Sequence, residues 1–80
     1  MKKGSKGVDA RAFGKRLRAA RVWRKLSQEK LGEMAGGMAQ AYLAQLEAGV
    51  RSPSFKTIYR LAIALKMKPA TLMEEVRNGQ

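Results

Sequence analysis

Phe13, Leu17 and Ala20 recur at helical spacing, and Arg11, Lys15, Arg18 and Lys25 fall largely off that stripe. The pattern predicts a helix over residues 10 to 24. Asp9 suits its N-cap, because a carboxylate accepts orphan amides and opposes the helix dipole. Leu31 and Ala35 mark the inward side of a second helix, about 28 to 35, capped by Ser27. Leu43 and Leu46 mark a third, about 39 to 48, closed by Gly49 as a left-handed cap. Between them Gly36-Gly37 breaks the periodicity, since two glycines weaken helix and permit positive φ. Ile58, Leu61, Ala62 and Leu65 give a fourth helix, capped by Ser52 or Ser54, with Pro53 suited to its first turn. Pro69 opens a last helix that carries Leu72 and runs through about Val76. No window alternates as a strand does, and no internal repeat is visible. The pattern therefore predicts an all-α chain, a compact bundle of five short helices. Residues 9–77 form its single domain, between a flexible basic arm at 1–8 and a tail at 78–80.

Eighty residues are near the lower limit for a core that holds without disulfides or metal. With no cysteine and no histidine, the chain has no disulfide staple, thiol nucleophile, imidazole base or Cys/His zinc site. No metal or other cofactor is expected, and no enzyme activity, because there is no nucleophile–base pair and no phosphate loop. A reducing, cytoplasmic setting fits the lack of cysteine. No apolar run approaches the ~20 residues of a membrane span.

Charge changes the picture most. Seventeen Lys and Arg oppose six Asp and Glu, a net +11, and Asp9 is the lone acid of the first 25 residues. A field of one sign on a small domain favours a polyanion, either nucleic acid or an anionic membrane surface. The helix–Gly-Gly–helix at 27 to 49 directs that choice, because its second helix carries glutamines on one face and leucines on the other. A short helix offering amides to solvent suits a DNA groove.

Several segments in order then resemble the lambda-repressor-like (Cro- and Xre-type) helix-turn-helix family. They are Phe-Gly-Lys-Arg-Leu-Arg at 13 to 18, Arg21, Leu-Ser-Gln-Glu-Lys-Leu at 26 to 31, and Tyr-Leu-Ala-Gln-Leu-Glu-Ala-Gly at 42 to 49. Arg-Ser-Pro-Ser at 51 to 54 and Thr-Ile-Tyr-Arg-Leu-Ala-Ile-Ala-Leu at 57 to 65 complete the series. The resemblance implies a DNA-binding transcriptional regulator whose second helix crosses the phosphate backbone while the third enters the major groove. It implies that Gln28 donates to a phosphate and that Gln40 and Gln45 read base edges, each able to pair bidentately with adenine. Ala41 and Ala44 would lie on thymine methyls, and Arg51 and Lys56 would hold phosphates. Arg21 and Glu47 match an ion pair tying helix one to helix three, a structural role. Without the resemblance, the three glutamines read better as solvated helix positions.

One such domain covers few base pairs, so a homodimer on paired half-sites is expected, with duplex DNA as the partner. The last helix and its surroundings (Met67, Leu72, Met73, Val76) are the expected dimer surface, Leu72 rather serving the core. The size suits a small repressor, a restriction–modification controller or an antitoxin. The alternative is a protein-interaction module, with a toxin for instance, in which DNA binding is secondary. A basic amphipathic membrane helix at 10 to 25 is a minor further reading. The arm at Lys2, Lys3 and Lys6 could follow phosphates or merely aid solubility.

Four departures from the family pattern bear on the structure. The turn before helix three is one residue longer, since counting from Leu31 puts its glycine at 36 and counting back from Tyr42 puts it at 37. Gly32 should weaken helix two by ~1 kcal/mol. Ala39 stands where a Ser or Thr cap is usual, at ~1 kcal/mol. Lys25 replaces a glycine and is expected to be left-handed.

Overall fold

A computed structural model describes residues 9–73. The predicted arm at 1–8, the tail at 78–80, and the end of the last helix with Val76 lie outside the described residues. Five helices follow in order: α1 (Ala10–Trp23), α2 (Gln28–Met34), α3 (Gln40–Ala48), α4 (Phe55–Ala64) and α5 (Pro69–Met73). No strand occurs among the described residues.

The helix ends follow local chemistry. Asp9 Oδ1 accepts from the Arg11 and Ala12 amides at 3.0 and 3.3 Å, and Ser27 Oγ accepts from the Lys30 amide at 2.9 Å. Ser54, not Ser52, caps α4, accepting from the Thr57 amide at 3.1 Å. Pro53 is thereby placed one residue before the cap, outside the first turn. Each such cap stabilises by ~1 kcal/mol. Ala39 makes no side-chain cap bond for α3, while Gly49 ends it at φ 78°. Lys25 is left-handed at φ 59°, and so is Lys66 at 57°, a position the pattern did not single out.

The predicted stripes converge on one core. Phe13 and Leu17 of α1, Leu31 and Ala35 at α2, Leu43 and Leu46 of α3, Ile58, Leu61 and Ala62 of α4, and Leu65 and Leu72 are all buried. Ala20 is only half-buried and packs on the edge of the core with Leu26, Met38, Tyr42, Met67 and Met73. A fully buried Leu contributes about 2 kcal/mol, and α5, too short to persist alone, is held by Leu72. Leu72 therefore serves the core, and Met67 and Met73 lie against it. The exposed apolar side chains lie elsewhere, in part as Phe55, Tyr59 and Ile63 along the outer side of α4.

Two glycines set the helix spacing. A Cβ at Gly14 would collide with the Leu46 carbonyl oxygen and come within 2.7 Å of that of Glu47, so α1 and α3 cross with their backbones nearly in contact. Gly32 is not simply the weak point that helix propensity makes of it. Its carbonyl accepts from the Gly37 and Met38 amides, both at 2.9 Å, and a Cβ there would strike the Met38 carbonyl oxygen. The longer turn folds back onto α2 at this position, with Gly36 and Gly37 both left-handed at φ 96° and 87°.

Gly14→Ala and Gly32→Ala should each therefore lose about 2–3 kcal/mol in chemical denaturation, overriding the ~1 kcal/mol that helix propensity grants alanine. A variant as stable as the parent would mean that the backbones separate at no cost.

Candidate nucleic-acid interface

α3 divides cleanly into two sides. Leu43 and Leu46 are buried, whereas Gln40, Ala41, Gln45 and Ala48 are exposed and Ala44 is half-exposed. At ~100° per residue those five positions share one arc of the helix, opposite the leucines. The arc carries two amides and no acid. Glu47, the single acid of α3, is turned inward.

Glu47 is held by a fork. Arg21 Nε donates to Glu47 Oε2 at 2.6 Å and Arg21 Nη2 to Oε1 at 2.9 Å, while Nη1 donates to the Leu26 carbonyl at 2.8 Å. The two side chains are 12% and 4% exposed, so the pair is largely withdrawn from water. The hydrogen bond to Glu47 raises the Arg21 pKa above its ordinary value; burial opposes the shift, and the charge of Glu47 adds to it. Arg21 thus stays charged at any pH the fold survives.

From this fork a chain of amides runs to the surface. Gln28, first in α2, donates through Nε2 to Glu47 Oε1 at 3.0 Å, and Gln40, first in α3, donates through Nε2 to Gln28 Oε1 at 3.2 Å. The polarity follows from chemistry. A carboxylate only accepts, so Gln28 must turn its NH2 inward and its oxygen outward, and Gln40 must then donate. Gln28 and Gln40, predicted as separate contacts, are one connected unit.

Gln45 belongs to a second group. Its Oε1 accepts from Arg51 Nε at 2.7 Å, and the Arg51 guanidinium carbon lies 5.7 Å from the centre of the Tyr42 ring, within cation–π range. Tyr42 Oη and Thr57 Oγ1 are 3.3 Å apart, and Ser54 Oγ donates to Thr57 Oγ1 at 3.1 Å, linking α3 to the start of α4. Sequence patterning assigned no role to Tyr42 or Thr57, because nothing in their spacing marks two hydroxyls that meet across helices. Lys56 is exposed in the first turn of α4 and makes no side-chain hydrogen bond among the described residues. Among those residues no group of three or more His, Cys, Asp or Glu could hold a metal ion, and no helix is long and apolar enough to cross a membrane.

Glu47→Ala strands the Arg21 guanidinium and releases Gln28, and should cost about 3 kcal/mol in denaturation experiments. Glu47→Gln, which keeps an acceptor, should cost less; equal losses would show that the fork contributes packing alone.

The family model described as Helix-turn-helix matches residues 17–72. No curated protein matches the chain. Among solved structures, the restriction-modification controller protein C.AhdI from Aeromonas hydrophila is 39% identical at a TM-score of 0.76, over 80% of this chain and 96% of that one. The P22 c2 repressor in complex with a synthetic operator is 30% identical, at a TM-score of 0.73 over 80% and 96%. The regulator SinR, known from Bacillus subtilis and here in complex with DNA, is 27% identical, at a TM-score of 0.73 over 78% and 98%. Match, helix order and five-helix core agree: the chain belongs to the helix-turn-helix family, in its lambda-repressor-like (Cro- and Xre-type) form.

Proposed function

We propose that this protein is a sequence-specific double-stranded DNA-binding transcriptional regulator, a small repressor that lays α3 in the major groove. The observation that carries this reading is the hydrogen-bonded series Arg21–Glu47–Gln28–Gln40, which presents two oriented amides at the N-termini of α2 and α3. Likeness to an operator-bound repressor, a DNA-bound regulator and a controller protein supports it.

Each side chain has a defined capacity left over. Gln28 uses one N–H on Glu47 and keeps the other for a phosphate, with the α2 N-terminus behind it. Gln40 uses one N–H on Gln28; its remaining N–H and its Oε1 match adenine N7 and N6. Gln45 differs, because Arg51 donates to its oxygen. Arg51 takes one of that oxygen's two lone pairs, so both N–H groups and one acceptor site remain for a base edge. Ala41 and Ala44 let the helix approach closely and can touch thymine methyls. Arg51, through its free N–H groups, and Lys56 contact phosphates. Two reading amides make direct readout modest, so the +11 charge supplies much of the affinity and DNA shape part of the specificity. Its place of work is the cytoplasm, with the duplex.

The regulator acts as a homodimer, and its surface is α4 rather than the last helix. Phe55, Tyr59 and Ile63 stand at 70%, 57% and 70% exposure and are spaced by four residues. A two-fold axis through Tyr59 would lay Phe55 against Ile63 of the partner subunit, which makes the stripe self-complementary.

Selection of bound sequences from random duplexes should yield a defined site whose affinity falls steeply with salt. Gln40→Ala should flatten preference at one base position by about 1–3 kcal/mol, whereas Arg51→Ala should weaken all sequences alike. Equal affinity for selected and random duplexes, unmoved by either change, would overturn the regulator reading. In sedimentation, Tyr59→Glu should shift the chain to monomer and make its melting point independent of protein concentration; an unchanged mass would remove α4 as the interface.

A further inference from the structure

We propose that the outer side of α1 is a docking groove for an acidic amphipathic helix of a partner protein. The floor is apolar. A groove of about 430 Å³ is lined by Ala19, Ala20, Trp23, Leu65 and Met67, with Arg16 and Arg24 at its edge. A second, of about 410 Å³, adjoins it across Ala19 and Trp23 and is bordered by Lys15, Arg18 and Val22. Trp23 is 79% exposed and Val22 51%, although both sit in the best-formed helix of the bundle. A tryptophan standing in water at the junction of two grooves is an anchor without its partner.

Charge decides the occupant. The borders carry four cations and no acid. The described acids are elsewhere: Asp9 caps α1, Glu47 is bound to Arg21, and Glu29 and Glu33 lie on α2. Among the described residues Arg16 Nε has no hydrogen-bond partner, and its side chain lines the groove, where an incoming carboxylate would supply an acceptor. An apolar floor within a cationic border fits a helix with large apolar residues at i, i+3 and i+4 and Asp or Glu beside them. A phosphate backbone would use the cations and leave the floor uncovered. A second copy docking through the same groove would set these four cations against four more.

The groove is also free when α3 is engaged. Gly14 and Arg21 face α3. Ala19 lies about 150° around the helix from both, at ~100° per residue. A partner docked there could be held at a DNA site without competing for the reading face.

The chain has a single tryptophan, so Trp23 emission reports the groove directly. A displayed library of helical peptides would be selected on the full chain and counter-selected on Ala19→Glu, an exposed helix position whose fold is checked by melting. Enriched peptides should combine large apolar anchors with flanking Asp or Glu, and should shift Trp23 emission to the blue. They should bind Ala19→Glu, and the pair Arg16→Ala/Arg24→Ala, about tenfold more weakly or worse. They should also still bind when the selected duplex saturates the chain. The proposal falls if nothing is enriched over Ala19→Glu, or if neutral or basic peptides win. It falls equally if single-stranded DNA competes for the groove, or if Trp23 emission shifts with protein concentration alone, the sign of a second copy.

Discussion

The crossing of α1 on α3 at Gly14 is the constraint from which the rest of the site follows. Because no Cβ stands between Gly14 and the carbonyls of Leu46 and Glu47, the two backbones approach closely enough for Arg21 to close a two-pronged fork on Glu47. A withdrawn ion pair of this kind adds little net stability, since both ions lose hydration. Its consequence is orientation. A carboxylate satisfied on two sides by Arg21 has one geometry left for Gln28, and Gln28 leaves one for Gln40. Backbone proximity inside the bundle thus determines which way an amide faces on its surface.

Much of this was legible in the residues and some was not, for identifiable reasons. Helical stripes such as Phe13–Leu17 and Ile58–Leu61–Leu65 name the core correctly, because an amphipathic helix has one way to hide its apolar face. Caps at Asp9, Ser27 and Gly49 are legible because they depend on chemistry within a few residues. Gly32 was misjudged for the complementary reason. Propensity measures what a glycine costs its own helix and is silent on the Met38 carbonyl that arrives above it. The bond between Gln45 and Arg51 is hidden in the same way, since a side chain's free capacity depends on a neighbour placed by a turn. Family resemblance pointed to these positions; it did not say that Gln28 and Gln40 are joined or that Gln45 is bound by Arg51.

Small size explains why so much apolar surface remains outside. A bundle this short has only one layer of core, and α1 and α4 each bury one stripe against it. Their far sides do nothing for the fold, so polar residues there would cost the bundle nothing. Instead α1 carries Val22 and Trp23, and α4 carries Phe55, Tyr59 and Ile63 at regular four-residue spacing. Scattered exposed apolar residues are ordinary, but alignment on a helix face concentrates area where a second surface can cover it. The strong positive charge keeps such a molecule dispersed while those faces are empty.

The two exposed glutamines of α3 are held by different neighbours. Gln40 is tied through Gln28 to the withdrawn Arg21–Glu47 pair, by a 3.2 Å bond that itself lies in solvent. Gln45 is tied to Arg51, and both lie in solvent, where a hydrogen bond is readily exchanged for water. The Gln45 oxygen has two lone pairs, so the Arg51 bond orients the amide and leaves one acceptor site open. Anything that draws the Arg51 guanidinium away would free the Gln45 amide to turn, which couples the two side chains. The orientation of Gln40 thus traces to the interior of the bundle, whereas that of Gln45 depends on Arg51.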